Sequence, residues 1–112
     1  MARPLFEPDT VGEGNLAELS RVVKGAIVSK PLIDTGPLKQ ILFSMDAGQE
    51  ISEHKAPFPA TVQILVGRVR LTVEEKSYEL GPNDWLFMPP NAPHDLLTVD
   101  EPVQFLLTLV KA

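Results

Sequence analysis

Apolar residues change their spacing once along the chain, and the change separates two kinds of local structure. Leu16, Leu19, Val22 and Val23 recur at the three-to-four-residue interval of a helical face, with Asn15 just ahead of them and Glu18 three positions on. An Asn side chain can accept from the unpaired N–H groups of a first turn, so the spacing predicts one short helix from Asn15 to Val23. From Gly25 onward apolar and polar residues alternate, the period at which successive side chains point to opposite faces of a strand. The runs Ala26 to Leu32, Leu38 to Met45, Thr61 to Val66, Arg68 to Val73, Ser77 to Leu80, Trp85 to Met88, His94 to Val99 and Val103 to Val110 are therefore expected as strands. Between them stand the turn signals Asp34-Thr-Gly36-Pro37, Ala47-Gly48, Gly67, Gly81-Pro82-Asn83-Asp84 and Pro89-Pro90-Asn91-Ala92-Pro93.

Many short strands with frequent turns predict an all-β sandwich or barrel, not alternating β-α units. Five of the eleven prolines, Pro37, Pro82, Pro89, Pro90 and Pro93, fall in these turn clusters, where they cost no central strand its hydrogen-bond ladder. Residues 1–24 are expected to form an irregular arm and the short helix, and 25–112 one barrel domain. Two strands are apolar on both faces. Trp85 and Phe87 alternate with Leu86 and Met88, and Phe105, Leu107 and Leu109 alternate with Leu106 and Val110. A small barrel has one interior, so the second face needs other cover, and a homodimer is expected to supply it through these strands and the arm.

Composition narrows the function classes. A chain of 112 residues suits a single core. A formal net charge of -5 with scattered basic residues argues against a nucleic-acid partner, which needs clustered Lys and Arg. No apolar stretch approaches the length that spans a bilayer and no leader pattern is evident, so the chain is expected to be soluble and cytoplasmic. The absence of cysteine removes disulfides, thiolate metal sites and a cysteine nucleophile, and is compatible with a reducing compartment.

The candidate chemistry lies in two segments, each with one of the two histidines. The first runs Gly48-Gln-Glu-Ile-Ser-Glu-His54-Lys-Ala56-Pro-Phe58-Pro-Ala60-Thr-Val-Gln63-Ile-Leu-Val-Gly67, the second Asn83-Asp84-Trp-Leu-Phe-Met-Pro89-Pro90-Asn91-Ala-Pro93-His94. Together they resemble the cupin family, whose first motif is Gly, five residues, His-x-His, three or four residues, Glu, six residues and Gly. The second is Gly-Asp, an apolar run, Pro-x-Gly and a third His. Ser52 to Phe58 is similar to a Ser-Glu-His-x-Ala-Pro-Phe variant among stand-alone bacterial cupins with no settled activity. The resemblance implies a double-stranded β-helix, or jelly roll, with His54 and His94 at the first and third histidine positions. Ala56 then stands where the second His is usual and Ala60 where the Glu is usual. Asn83 and Asn91 replace turn glycines, a change that Asn tolerates because it enters left-handed backbone conformations.

Several functions fit these residues. A tightly held Zn, Fe, Mn or Ni ion usually needs three or four protein ligands, and here two histidines are left unless Gln63, Glu50 or Glu53 moves in. No cofactor is therefore expected, a weakly bound divalent transition metal at His54 and His94 being the alternative. A pocket that binds or senses a small polar molecule needs a few convergent polar groups within apolar walls. His54, His94 and Gln63 are the candidate polar groups; Ala56, Phe58, Ala60, Val62, Ile64, Met88 and Leu96 are the candidate walls. The enzyme alternatives are a metal-dependent oxygenase or isomerase with a reduced ligand set, and a metal-free histidine acid or base. The latter lacks an evident orienting group, since Asp95 alternates away from His94. Both histidines could also be remnants in a barrel that serves only as scaffold.

Overall fold

The computed structural model describes residues 3–111, so Met1, Ala2 and Ala112, at the outer ends of the expected arm and barrel segments, lie outside the described residues. The helix α1 (Leu16–Leu19) is followed by β1 (Ile27–Asp34), β2 (Leu38–Met45), β3 (Glu50–His54), β4 (Ala60–Gly67) and β5 (Val69–Val73). β6 (Lys76–Leu80), β7 (Trp85–Met88), β8 (His94–Leu97) and β9 (Val103–Val110) complete the order. A five-stranded sheet, β1-β2-β9-β4-β7, faces a four-stranded sheet, β3-β8-β5-β6, and every pairing is antiparallel. The result is an all-β double-stranded β-helix.

Alternation explains the core. β4 turns Ala60, Val62 and Ile64 inward, β5 turns Val69, Leu71 and Val73, and β9 turns Val103 and Phe105, all at 7 % exposure or less. Phe43 of β2 stacks on Phe105 across the β2–β9 pair, with ring centroids 5.0 Å apart. Each fully buried Val, Leu, Ile or Phe contributes about 1.5–3 kcal/mol of transfer free energy. The sheets are thus held together by this inner face.

The outer face of the larger sheet has a second, smaller apolar cluster. Leu32, Leu42 and Leu106 are buried there beneath Phe6, Leu16, Leu19 and Leu65. The arm is accordingly better anchored than its composition suggests. Leu5 and Phe6 donate to the carbonyls of Pro31 and Leu32 at 3.0 Å, extending the ladder along the free edge of β1. Gln104 of β9 donates to the carbonyls of Ala17 and Ser20 and so ties down α1. Much of the outward apolar surface of β9 is therefore covered by the chain's own N-terminal segment. A partner was expected to cover it. Trp85 and Phe87 of β7 remain uncovered, at 61 % and 51 % exposure.

The helix is shorter than expected. Asn15 accepts from the Glu18 N–H at 3.0 Å as the capping pattern implies, but Ser20 closes the turn by donating backbone and hydroxyl hydrogens to the Leu16 carbonyl. Asn83 and Asn91 both adopt positive φ, at 70° and 66°, so they serve as the turn residues that glycine would otherwise supply. Among the described residues no helix is long and apolar enough to cross a membrane.

Candidate functional site

The site forms where β3 and β8 run side by side at the mouth of the barrel. Plain alternation from the inward-facing Ile51 would send His54 outward. Instead the β3–β8 register shifts between Ile51 and His54: Ile51 lies opposite Leu96, and His54 opposite His94. Ser52 and Glu53 on β3 thus stand against the single residue Asp95 on β8. A bulge of this kind inserts one extra residue and returns His54 to the face of Ile51. On β8, His94 and Leu96 face inward by ordinary alternation, and Thr98 just beyond the strand is equally buried. The Thr98 hydroxyl accepts from the Gln49 N–H and donates to the Asp46 carbonyl, which holds this end of β8 against the loop leading into β3.

The two imidazoles are neighbours, with ring centroids 4.2 Å apart and planes tilted by 58°. His54 Nδ1 lies 2.9 Å from the Ser52 carbonyl oxygen and His94 Nδ1 lies 2.9 Å from that of Ala92. A carbonyl oxygen can only accept, so Nδ1 carries the hydrogen in both rings and the neutral form of each keeps its lone pair on Nε2. Among the described residues, no hydrogen bond occupies either Nε2. Burial holds the His94 pKa below the ordinary imidazole value, with the adjacent His54 acting in the same direction. The hydrogen bond to Ala92 and the Asp95 carboxylate oppose the shift. His94 is buried, whereas His54 stays exposed at the rim.

Both rings line two adjoining lobes of the barrel interior. The outer lobe, about 90 Å³, is bounded by His54, Ala56, Phe58, Ala60, Met88, Pro89, Ala92, His94, Leu107 and Leu109. The inner lobe, about 70 Å³, is bounded by Phe43, Ile51, His54, Val62, Leu71, Met88, His94, Leu96, Phe105 and Leu107. Eight of the ten residues singled out from sequence, namely His54, Ala56, Phe58, Ala60, Val62, Met88, His94 and Leu96, therefore come together. Ala56 gets there from the loop after β3, where its carbonyl accepts from the Asn91 N–H.

Two residues do not join them. Gln63 is exposed on the outside of β4 opposite Trp85, because the alternation that turns Ala60, Val62 and Ile64 inward must turn Gln63 outward. Ile64 faces inward but lies in the packed core, away from the lobe walls. The walls missing from the sequence reading are chiefly Phe43, Leu71, Phe105, Leu107 and Leu109. Their signal was the apolar inward alternation of β2, β5 and β9, which does not tell a cavity wall from solid core. Glu50 and Glu53 lie outside both lobes.

The donor set does not fit a tightly held divalent ion. His54 and His94 supply two nitrogens, and Ala56 and Ala60, which line the same lobe, supply no donor atom in their side chains. Among the described residues no group of three His, Cys, Asp or Glu side chains could hold a metal ion.

Larger concavities lie on the outer surface. One of about 510 Å³ runs along β6 and β7 beside Tyr78, Trp85 and Phe87, and one of about 270 Å³ lies beside Arg68, Arg70 and Glu101. Both are more open to solvent than the barrel lobes, and in the second Arg70 is already engaged by Glu79 at 2.6 Å. The smaller barrel cavity is the stronger candidate because its polar groups converge within apolar walls.

Residues 41–109 match a family model described as the cupin domain. The chain belongs to the cupin family. This cupin is similar to a conserved protein of unknown function from Streptococcus pyogenes, with 31% identity and a TM-score of 0.82 over 93% of this chain and 90% of that one. A cupin 2 conserved barrel domain protein from Leptotrichia buccalis shares 34% identity, with a TM-score of 0.83 over 88% of this chain and 47% of that one. The DMSP lyase DddQ from Ruegeria pomeroyi shares 26%, with a TM-score of 0.72 over 83% of this chain and 52% of that one. The cupin thus spans about half the length of the last two. The comparison with curated proteins gives no match.

Proposed function

We propose that this cupin binds or senses a small molecule inside its barrel, without a tightly held metal. The observation that carries the reading is the pair of adjacent imidazoles whose Nδ1 atoms are tied to backbone carbonyls, leaving both Nε2 atoms for a ligand in an otherwise apolar cavity. Such sites use a few fixed polar groups for orientation and apolar contact for affinity. The two lobes, about 90 and 70 Å³, together match in size an apolar cavity of about 150 Å³ that takes up benzene, so a ligand of about six heavy atoms would fill them.

A metal-free acid–base enzyme is the second reading, supported by the free Nε2 of a buried, neutral His94. Against it, neither Nδ1 hydrogen bond goes to a carboxylate that could stabilise an imidazolium; both go to backbone carbonyls. The expected homodimer belongs to this proposal too, with Trp85 and Phe87 as its contact residues, as does a cytoplasmic setting.

Native mass spectrometry of protein purified without an affinity tag tests the central claim. A small organic molecule should be retained, and His54→Ala or the cavity-filling Ala60→Leu should abolish retention while the fold persists by circular dichroism. Retention unaffected by both substitutions would place the ligand elsewhere. Conversion of that molecule during incubation, lost in His94→Ala, would favour the enzyme.

A further inference from the structure

The character of the cavity narrows its ligand class. Among the described residues, His54 and His94 are the polar side chains in the walls of the two lobes; no acid, base, hydroxyl or amide joins them. The nearby carbonyls of Ser52, Ala56 and Ala92 are engaged by His54, Asn91 and His94 respectively. With both rings neutral, the wall side chains offer two Nε2 lone pairs, which are acceptors, and no side-chain donor to the cavity.

We infer that the cavity selects small uncharged molecules bearing two hydrogen-bond donors on one apolar body, with a primary amide as the simplest case, and rejects carboxylates and phosphates. This rests on the cavity being the binding site. An amide NH₂ group brings two hydrogens to two acceptors on neighbouring rings, whose centroids lie 4.2 Å apart, and Met88 and Leu107, which line both lobes, offer apolar contact to its alkyl end. A carboxylate of the same shape only accepts. It would lose its hydration, face two lone pairs, and find no Lys or Arg in the walls, so its burial goes uncompensated.

Acetamide and acetate have the same heavy-atom skeleton and differ in this respect, which makes them the probes. Each is titrated into the isotope-labelled full chain to about 100 mM, a range that covers the weak affinity of so small a ligand. The pH is held at about 8, above the ordinary imidazole pKa. Long-range proton–nitrogen NMR spectra of the imidazoles and the Met88 and Leu107 methyl signals report the result. Both histidines should show a protonated Nδ1 and a bare Nε2. Acetamide should move the Nε2 and methyl signals together, with acetate at least about tenfold weaker, the scale expected for a buried polar group left unpaired.

Acetate binding as tightly as acetamide overturns the inference while leaving the binding reading intact. A proton on Nε2 of either ring overturns it as well, whatever the cavity holds. If the tautomers are as stated and neither probe moves any cavity signal, the inference is overturned, and the binding reading stands or falls on the retention experiment.

Discussion

Gly48 and Gly67 bracket the first motif, and substituting each by alanine separates two reasons for glycine at such positions. Both have positive φ, at 73° and 82°. An alanine at Gly48 meets nothing within 4 Å, so Gly48→Ala costs the left-handed conformation alone. That is about 1–2 kcal/mol, offset by about 0.4–1 kcal/mol from the lower entropy of the unfolded chain. At Gly67 the added Cβ falls 1.8 Å from the Pro102 carbonyl oxygen and 3.0 Å from the Val103 Cα. These are backbone atoms beside the Gly67–Val103 pair of the β4–β9 ladder, and Val103 is fully buried. Relief means moving the strands apart by more than an ångström, which loses roughly one or two hydrogen bonds of about 1 kcal/mol each and disturbs the core. Gly67→Ala should therefore cost about 3–5 kcal/mol, against at most about 1.6 kcal/mol for Gly48→Ala. Scanning calorimetry should show Tm falling by about 12–20 °C and by no more than about 6 °C, respectively. Equal Tm losses in the two variants would refute the steric account and leave the backbone conformation as the whole reason for both glycines.

Ala56→His combined with Ala60→Glu places ligand types on two wall positions of the outer lobe. Calorimetric titration with Zn²⁺ should give at least about tenfold tighter binding than the unmodified chain, and no gain would mean that these positions do not converge on the histidines. The lowered His94 pKa makes stability depend on pH: the unfolded chain takes up a proton below about 6.5 that the folded chain refuses until its own lower pKa. Stability should hence be fully present above 6.5 and fall with pH by at most about 1.4 kcal/mol per unit, ending once the folded pKa is passed. Urea midpoints between pH 5 and 7.5 should show a shallower slope in His94→Gln; identical slopes would remove His94 as the cause. Asp34 and Asp46, whose carboxylates accept backbone N–H bonds from Gly36 and from Gly25 and Ala47, have pKa values below the ordinary one. Their contribution is present above about 3.8 and lost as pH falls through the lower folded values. Light scattering at micromolar concentration should give a dimer mass that Trp85→Glu with Phe87→Lys reduces to a monomer; a monomer before substitution would end the dimer proposal.

Every strand but β3, with the alternation and the turn positions, was legible because each is a local property; Glu50–His54, with one apolar residue in five, carries no such pattern. Period two along β4, β8 and β9 follows from the backbone of any strand, and the positive φ of Asn83 and Asn91 follows from what Asn tolerates. Even the outward direction of Gln63 was implicit in the inward set Ala60, Val62 and Ile64. His94 sits where its strand's alternation places it. His54 does not, for no residue in the run Ile51 to His54 announces the extra residue that rotates its ring inward. The bulge exists because β3 must pair with β8, a segment some forty residues away whose register is set by packing. The same holds for the cover of the larger sheet, since Phe6, Leu16 and Leu19 have a place to go only once β1, β2 and β9 lie side by side. Cavity volume was likewise decided by tertiary structure: Leu107 and Phe105 alternate identically along β9, and only the strands facing them determine how much space remains at each.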